Sequence, residues 1–153
     1  MKQGRVLVVD DNKNVLSALK LLLNNHFEEV TLLSSPNTLI TTLREKRPDV
    51  VLLDMNYSAG INTGNEGLFW LSEVKKVDPY LPVVFFTAYA DIELAVTALK
   101  KGAFDFVVKP WDNAKLIATL QSALKLRLSQ KEVTRLKEKQ NVLNAQLNKE
   151  NDV

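Results

Sequence analysis

Cysteine is absent from this chain of 153 residues, and histidine occurs once. The first absence excludes disulfide frameworks, thiolate zinc sites and cysteine nucleophiles. The single histidine, His26, excludes histidine-rich metal sites and leaves little for histidine-based acid–base catalysis. It falls near the end of the first helical pattern and reads as a surface residue. Charge of one sign is also scarce. Twenty Lys and Arg against eighteen Asp and Glu give +2, too little to imply nucleic acid. No apolar run approaches the ~18 residues needed to span a bilayer. Met1-Lys2-Gln3-Gly4 leads straight into a strand-like segment, so the expectation is a soluble, cytoplasmic protein without a signal peptide.

What is present has the composition of an ordinary globular protein, 46% hydrophobic and 25% charged. The length suits one domain with an appendage, and the core can be buried without a covalent or metal staple. Short β-branched runs, Val6–Val9, Val50–Leu53 and Val83–Phe86, are continuous, as in strands covered on both faces of a parallel sheet. Val30–Leu33 and Phe104–Val108 are weaker strand signals. Helical patterns lie between them. Val15, Leu16, Leu19, Leu22 and Leu23 share one face. Ser35-Pro36 starts a second helix through Leu39, Ile40 and Leu43, ending before Pro48. A third spans Gly67 to Val77. A fourth starts at an Asp91 cap, turns Ile92, Ala95, Val96 and Leu99 inward and stops at Gly102. A fifth follows Pro110-Trp111-Asp112 and meets no Gly or Pro again.

Five βα units call for a doubly wound α/β fold, a five-stranded parallel sheet of flavodoxin-like order. Its ligand site lies beyond the carboxyl ends of the strands. Asp10 and Asp11, Asp54, Thr87 and Lys109 end the first, third, fourth and fifth strands, so all five map to that edge. Converging carboxylates repel unless a cation sits among them or one is protonated. With oxygen donors only, Mg²⁺ is the natural ion. Lys109 supplies a point charge and Thr87 a hydroxyl for an anion beside it. The set suits phosphoryl transfer onto a carboxylate, with Asp54 the candidate nucleophile.

The blocks Val-Val-Asp10-Asp11-Asn, Leu-Leu-Asp54-Met-Asn56, Phe-Phe-Thr87-Ala88 and Val-Val-Lys109-Pro110 resemble the signatures of response-regulator receiver domains, over about residues 4–125. The resemblance implies that Asp54 is the phosphoacceptor. It implies Asp11 and Asp54 as direct Mg²⁺ ligands with the Asn56 backbone carbonyl, and Asp10 acting through water. Thr87 and Lys109 would bind the phosphoryl oxygens, and Lys109-Pro110 would be cis. Phe106, three before the lysine, matches the family's switch aromatic. The phosphoryl donor would be a sensor histidine kinase. The domain would catalyse only its own phosphorylation and dephosphorylation, and signal through the surface of helix 4, strand 5 and helix 5. Trp70 and Trp111 read as packing residues, and Tyr89 as one that shapes access to Asp54 or a partner surface.

Two departures from the family stand out. The third acidic position after Asp10-Asp11 is Asn12. The loop after Asp54 is longer than usual and holds three of the five glycines between 60 and 67, so residues 55–66 are expected to be mobile and to cover part of the site or a partner surface.

The tail changes composition. Leu126, Val133, Gln140 and Leu147 repeat every seven residues, with Ser129, Leu136 and Leu143 three after the first three. That is an a/d coiled-coil seam with a polar a position. The expected division is a receiver over 1–127 and a helical coiled-coil tail over 128–153. Homodimers would form through this helix, through the helix 4–strand 5–helix 5 face, or both. Strand-end blocks and tail together resemble the regulatory segment of NtrC-type, sigma-54 enhancer-binding response regulators. In those, an ATPase and a DNA-binding domain would follow; neither a Walker loop nor a helix-turn-helix pattern occurs here. Direct nucleic-acid binding by the tail is not expected, because Lys131, Arg135, Lys137 and Lys139 are interleaved with acids and polar residues. A Mg²⁺-dependent aspartyl-phosphate phosphatase is the enzyme alternative, and a stand-alone receiver acting by protein binding is another. The phosphatase lacks its usual second aspartate, since Asn56 stands two after Asp54. A flavodoxin-type carrier would place Asp10-Asp11 against a flavin phosphate.

Overall fold

The alternating patterns fold as five parallel strands with helices on both faces. The computed structural model describes residues 2–55 and 65–151. The strands are β1 (Arg5–Val9), β2 (Glu29–Leu33), β3 (Val50–Asp54), β4 (Val83–Ala88) and β5 (Asp105–Lys109). The helices are α1 (Lys13–Leu23), α2 (Leu39–Lys46), α3 (Asn65–Val77), α4 (Ile92–Lys100) and α5 (Asn113–Asn151). Strand order is β2-β1-β3-β4-β5, the expected flavodoxin-like arrangement. Every residue of β3 is buried, as its position at the centre of the sheet requires. The edge strand β2 is only half-buried throughout.

Side chains alternate between two cores, because successive strand residues point to opposite faces. Val6, Val8, Val50, Leu52, Val84 and Phe86 meet α1 and α5 through Leu16, Leu19, Leu116 and Leu120. Leu7, Val9, Val51, Leu53, Val83 and Phe85 meet α2, α3 and α4 through Leu39, Leu71, Val74 and Ala95.

Local chemistry sets several boundaries away from their expected places. Ser35 accepts a hydrogen bond from the Asn37 amide at 3.2 Å, but it starts a single 3₁₀ turn, Pro36–Thr38. The α-helix proper begins at Leu39, and it ends where Arg47 takes a left-handed φ of 47°. A 3₁₀ turn, Tyr89–Asp91, also precedes α4, and Asp91 caps without a side-chain capping bond. Helix α3 starts at Asn65, two residues before Gly67. A Cβ on Gly67 would lie 2.8 Å from the Met55 carbonyl oxygen, so glycine is what lets α3 approach the residue after Asp54 so closely.

One expected face is only partly right: Ala95 is turned inward as expected. On α4 the fully buried residues are Ala95 and Ala98, while Val96 and Leu99 are exposed. The small residues pack against the sheet, which turns the branched ones outward. His26 is exposed, and Trp70 and Trp111 are half-buried against the two cores, as expected. Asn56 and most of the loop 55–66 lie outside the described residues.

Candidate functional site

The parallel register brings the chosen side chains to one edge. Val9 pairs with Leu53, Asp54 with Phe86, and Ala88 with Lys109. Asp10 and Asp11 follow β1, and Asp54 closes β3, so the carboxylates flank the point where strand order reverses. One oxygen from each of Asp10, Asp11 and Asp54 lies within 4.8 Å of the other two. Asp10 and Asp54 are buried, and Asp11 is half-exposed at the mouth.

Lys109 reaches back from β5 into this cluster. Its Nζ donates to Asp10 Oδ2 at 2.8 Å and lies 3.2 Å from Asp54 Oδ1. It also sits 5.5 Å from the centroid of the Phe86 ring, a favourable place for a cation. Burial pushes the ammonium toward losing its proton, but the Asp10 hydrogen bond and the charges of Asp54 and Asp10 outweigh that. The pKa is raised above the ordinary lysine value, so the group stays charged. Asp10 Oδ1 accepts the Asn12 amide at 2.8 Å. Asn12 in turn caps α1 through the amides of Asn14 and Val15, so the first carboxylate is fixed from both sides.

Thr87 is buried, and its hydroxyl donates to the Ala88 carbonyl at 3.2 Å. Phe106 is half-buried against the core beneath α4. The Lys109-Pro110 bond is cis, as the resemblance implied. Asp10, Asp11, Asp54 and Lys109 are thus gathered in one place, with Thr87 on the adjacent strand end. Asn56 lies outside the described residues. Sequence reasoning missed Phe86 as a partner of the lysine. Phe86 is the register partner of Asp54, a pairing that the sequence alone does not give.

The donor set fits a hard divalent cation. Three carboxylates against one ammonium leave a net negative site made of oxygen. Ligands of a single Mg²⁺ at 2.0–2.1 Å lie at most about 4.2 Å apart, so oxygens of Asp11 and Asp54 within 4.8 Å of each other need close only slightly around an ion, with Asp10 in reach through a water.

Residues 6–121 match the response regulator receiver domain. The chain belongs to that family. Its receiver is similar to the N-terminal signal receiver domain of a two-component response regulator from Bacteroides fragilis. The two are 60% identical with a TM-score of 0.73, covering 80% of this chain and 98% of that one. It is also similar to the NtrX structure from Brucella abortus, 30% identical with a TM-score of 0.77 over 88% of this chain and 29% of that one. Among curated proteins it is 34% identical to the DNA-binding transcriptional regulator NtrC of Salmonella typhimurium, over 81% of this chain and 25% of that protein. The chain therefore spans about a quarter of the length of the NtrC relative. NtrC is of the type that the strand-end blocks and tail together resembled. No helix among the described residues is long and apolar enough to cross a membrane.

Proposed function

We propose that this receiver takes a phosphoryl group from a sensor histidine kinase onto Asp54 and converts it into a change of surface and of self-association. The observation that carries the reading is the Lys109 ammonium, bonded to Asp10 and Asp54 within a cluster of three carboxylates. In the transfer, a carboxylate oxygen of Asp54 forms a bond to phosphorus while the phosphorus–nitrogen bond of the kinase phosphohistidine breaks. The imidazole leaves and takes its proton from solvent. Lys109 is placed to follow the phosphoryl oxygens while remaining near Asp10, and the Thr87 hydroxyl turns from the Ala88 carbonyl to the new anion. Mg²⁺ held by Asp11, Asp54 and the Asn56 carbonyl, with Asp10 through water, would offset the charge of the incoming group. The chain catalyses only its own phosphorylation and dephosphorylation, in the cytoplasm.

The readout runs from Thr87 through Phe106 to α4, which carries exposed Val96 and Leu99 and follows the turn that holds exposed Tyr89. That face, with β5 and α5, would change partners as the population shifts. Residues 1–127 form the receiver and 128–153 the tail, of which residues 128–151 continue α5 without a break. Along the tail Leu126, Val133, Leu136, Leu143 and Leu147 are between 44% and 56% exposed. An apolar stripe of that length on a charged helix fits a second copy of this chain. In a parallel pair Glu132 of one helix, at position g, would face Lys137 of the other, at position e, and the Gln140 pair would set the register. Regulation of transcription would pass through domains beyond these residues, without nucleic-acid contact by this segment.

A non-covalent phosphoryl mimic such as beryllofluoride tests the switch directly. With Mg²⁺ it is expected to shift the amide resonances of Thr87, Phe106 and α4, and to shift none in Asp54→Ala. Shifts confined to the rim of the acidic cluster would contradict the coupling.

A further inference from the structure

The stretch that carries α5 out of the domain is tied to the sheet edge opposite Asp54. Leu124 is the last buried residue of the helix among the described residues. Just beyond it, Arg127 Nη1 donates to Asp78 Oδ1 at 3.2 Å and Nη2 donates to Asp78 Oδ2. One turn later, Lys131 Nζ donates to Asp49 Oδ1 at 2.7 Å. Asp49 is itself buried, and its Oδ2 accepts the Arg5 amide at 3.0 Å. Its carboxylate is therefore fixed by β1 independently of the tail.

Residues 127 and 131 are four apart and share one helix face. Gln130, Thr134 and Glu138 border the same groove beside Tyr80. When Leu126 and Val133 are a positions, 127 and 134 are b and 131 and 138 are f, so four of these five positions form the back of the coiled coil. The receiver holds the back of the helix; Leu126 and Ser129 still border receiver grooves, and from Val133 on the apolar a/d residues Val133, Leu136, Leu143 and Leu147 are exposed. Arg127 is held at some cost, because its Nε is buried without a hydrogen-bond partner. Burial pushes the Asp78 carboxyl up, but the Arg127 hydrogen bond and charge, the Tyr80 amide and the Lys131 charge hold it below its ordinary value. Both anchors also lie at the far ends of elements that bracket the acidic cluster. Strand β3 begins beside Asp49 and ends at Asp54, and α3 starts over Met55 and ends before Asp78.

We propose that Asp49 and Asp78 form a two-point clamp that fixes the rotation of the tail helix about its own axis, presenting its a/d face to a second copy of this chain. Asp49 and Asp78 are thus positioning residues for the dimer, which rests on the reading of the seam given above.

The test uses the full chain as Asp49→Asn/Asp78→Asn, compared with the wild type and with Leu136→Ala/Leu143→Ala. Amide exchange of residues 126–138 is measured at a dilution where all are monomeric, and self-association is measured by sedimentation. The clamp predicts that the double Asn variant loses about tenfold in protection over this stretch and about tenfold in dimer affinity. It also predicts that high salt lowers protection in the wild type but not in that variant, and that Asp78→Glu keeps most of it. Unchanged protection in a folded Asp49→Asn/Asp78→Asn chain would overturn the clamp. Lost protection with unchanged dimer affinity would overturn its role in presenting the seam. If instead Leu136→Ala/Leu143→Ala leaves association intact, the reading of the seam as the dimer contact fails, and the monomer exchange still decides whether the tail is clamped.

Discussion

Lys109→Ala is expected to lower the stability of the metal-free protein by about 2–4 kcal/mol and to cut phosphoryl uptake at least about 100-fold. The ammonium is the positive group that bridges Asp10 and Asp54, at 2.8 Å and 3.2 Å. Asp10 is completely buried and Asp54 nearly so. Without the lysine, two desolvated carboxylates face each other with Asp11 beside them. Removing one partner of a buried pair costs more than the pair contributed, because the remaining charges stay out of water. The lysine is partly exposed, so the loss falls at the lower end of the range for buried pairs. Mg²⁺ held at this cluster would supply the missing positive charge and should restore a large part of the lost stability, but not the uptake. Urea denaturation with and without Mg²⁺ checks the first statement, and a phosphorylation time course the second. Wild-type stability in the metal-free variant would mean that the cluster is solvated and that its geometry carries no strain of charge.

Truncating the tail seam should have an effect of similar size on assembly and none on chemistry. Leu136→Ala/Leu143→Ala removes two leucines from each helix of the pair. Buried leucine truncations cost about 2–5 kcal/mol each in well-packed cores, and a short, partly solvated seam gives less. A loss of at least about 100-fold in dimer affinity is still expected. Both residues are exposed within one chain, 50% and 52%, so the fold of the receiver should not change and Asp54 should take up phosphate at the wild-type rate. Unchanged sedimentation would remove the tail from the dimer and leave the α4–β5–α5 face as the surface to test.

The strand-end residues were legible because two simple facts act together. Buried parallel strands read as unbroken β-branched runs, and a polar residue that ends such a run must emerge at the carboxyl edge. Asp54 after Val50–Leu53 and Lys109 after Val107-Val108 follow directly. The inner face of α4 was legible only at Ala95. Val96 and Leu99 were also placed inward, because hydropathy favours them over Ala98. Close packing against the sheet selected Ala98 instead. Helix boundaries moved for equally local reasons, such as the left-handed Arg47 that ends α2. Asp49 and Asp78 were missed because each stands beside a proline in what reads as an ordinary turn. Their partners lie 82 and 49 residues away along the chain. Only the i,i+4 spacing of Arg127 and Lys131 hinted that one face of the tail had a docking role, and spacing alone does not say what it meets.

The central claim is that Asp54 carries the phosphoryl group. Intact-mass spectrometry after incubation with Mg²⁺ and a small acyl-phosphate donor tests it most directly, beside Asp54→Asn and a metal-free control. The account predicts one phosphoryl adduct on the wild type, lost on chelation of the metal and absent from the variant. An adduct of equal amount on Asp54→Asn, or none on a wild type shown separately to bind Mg²⁺, would contradict it.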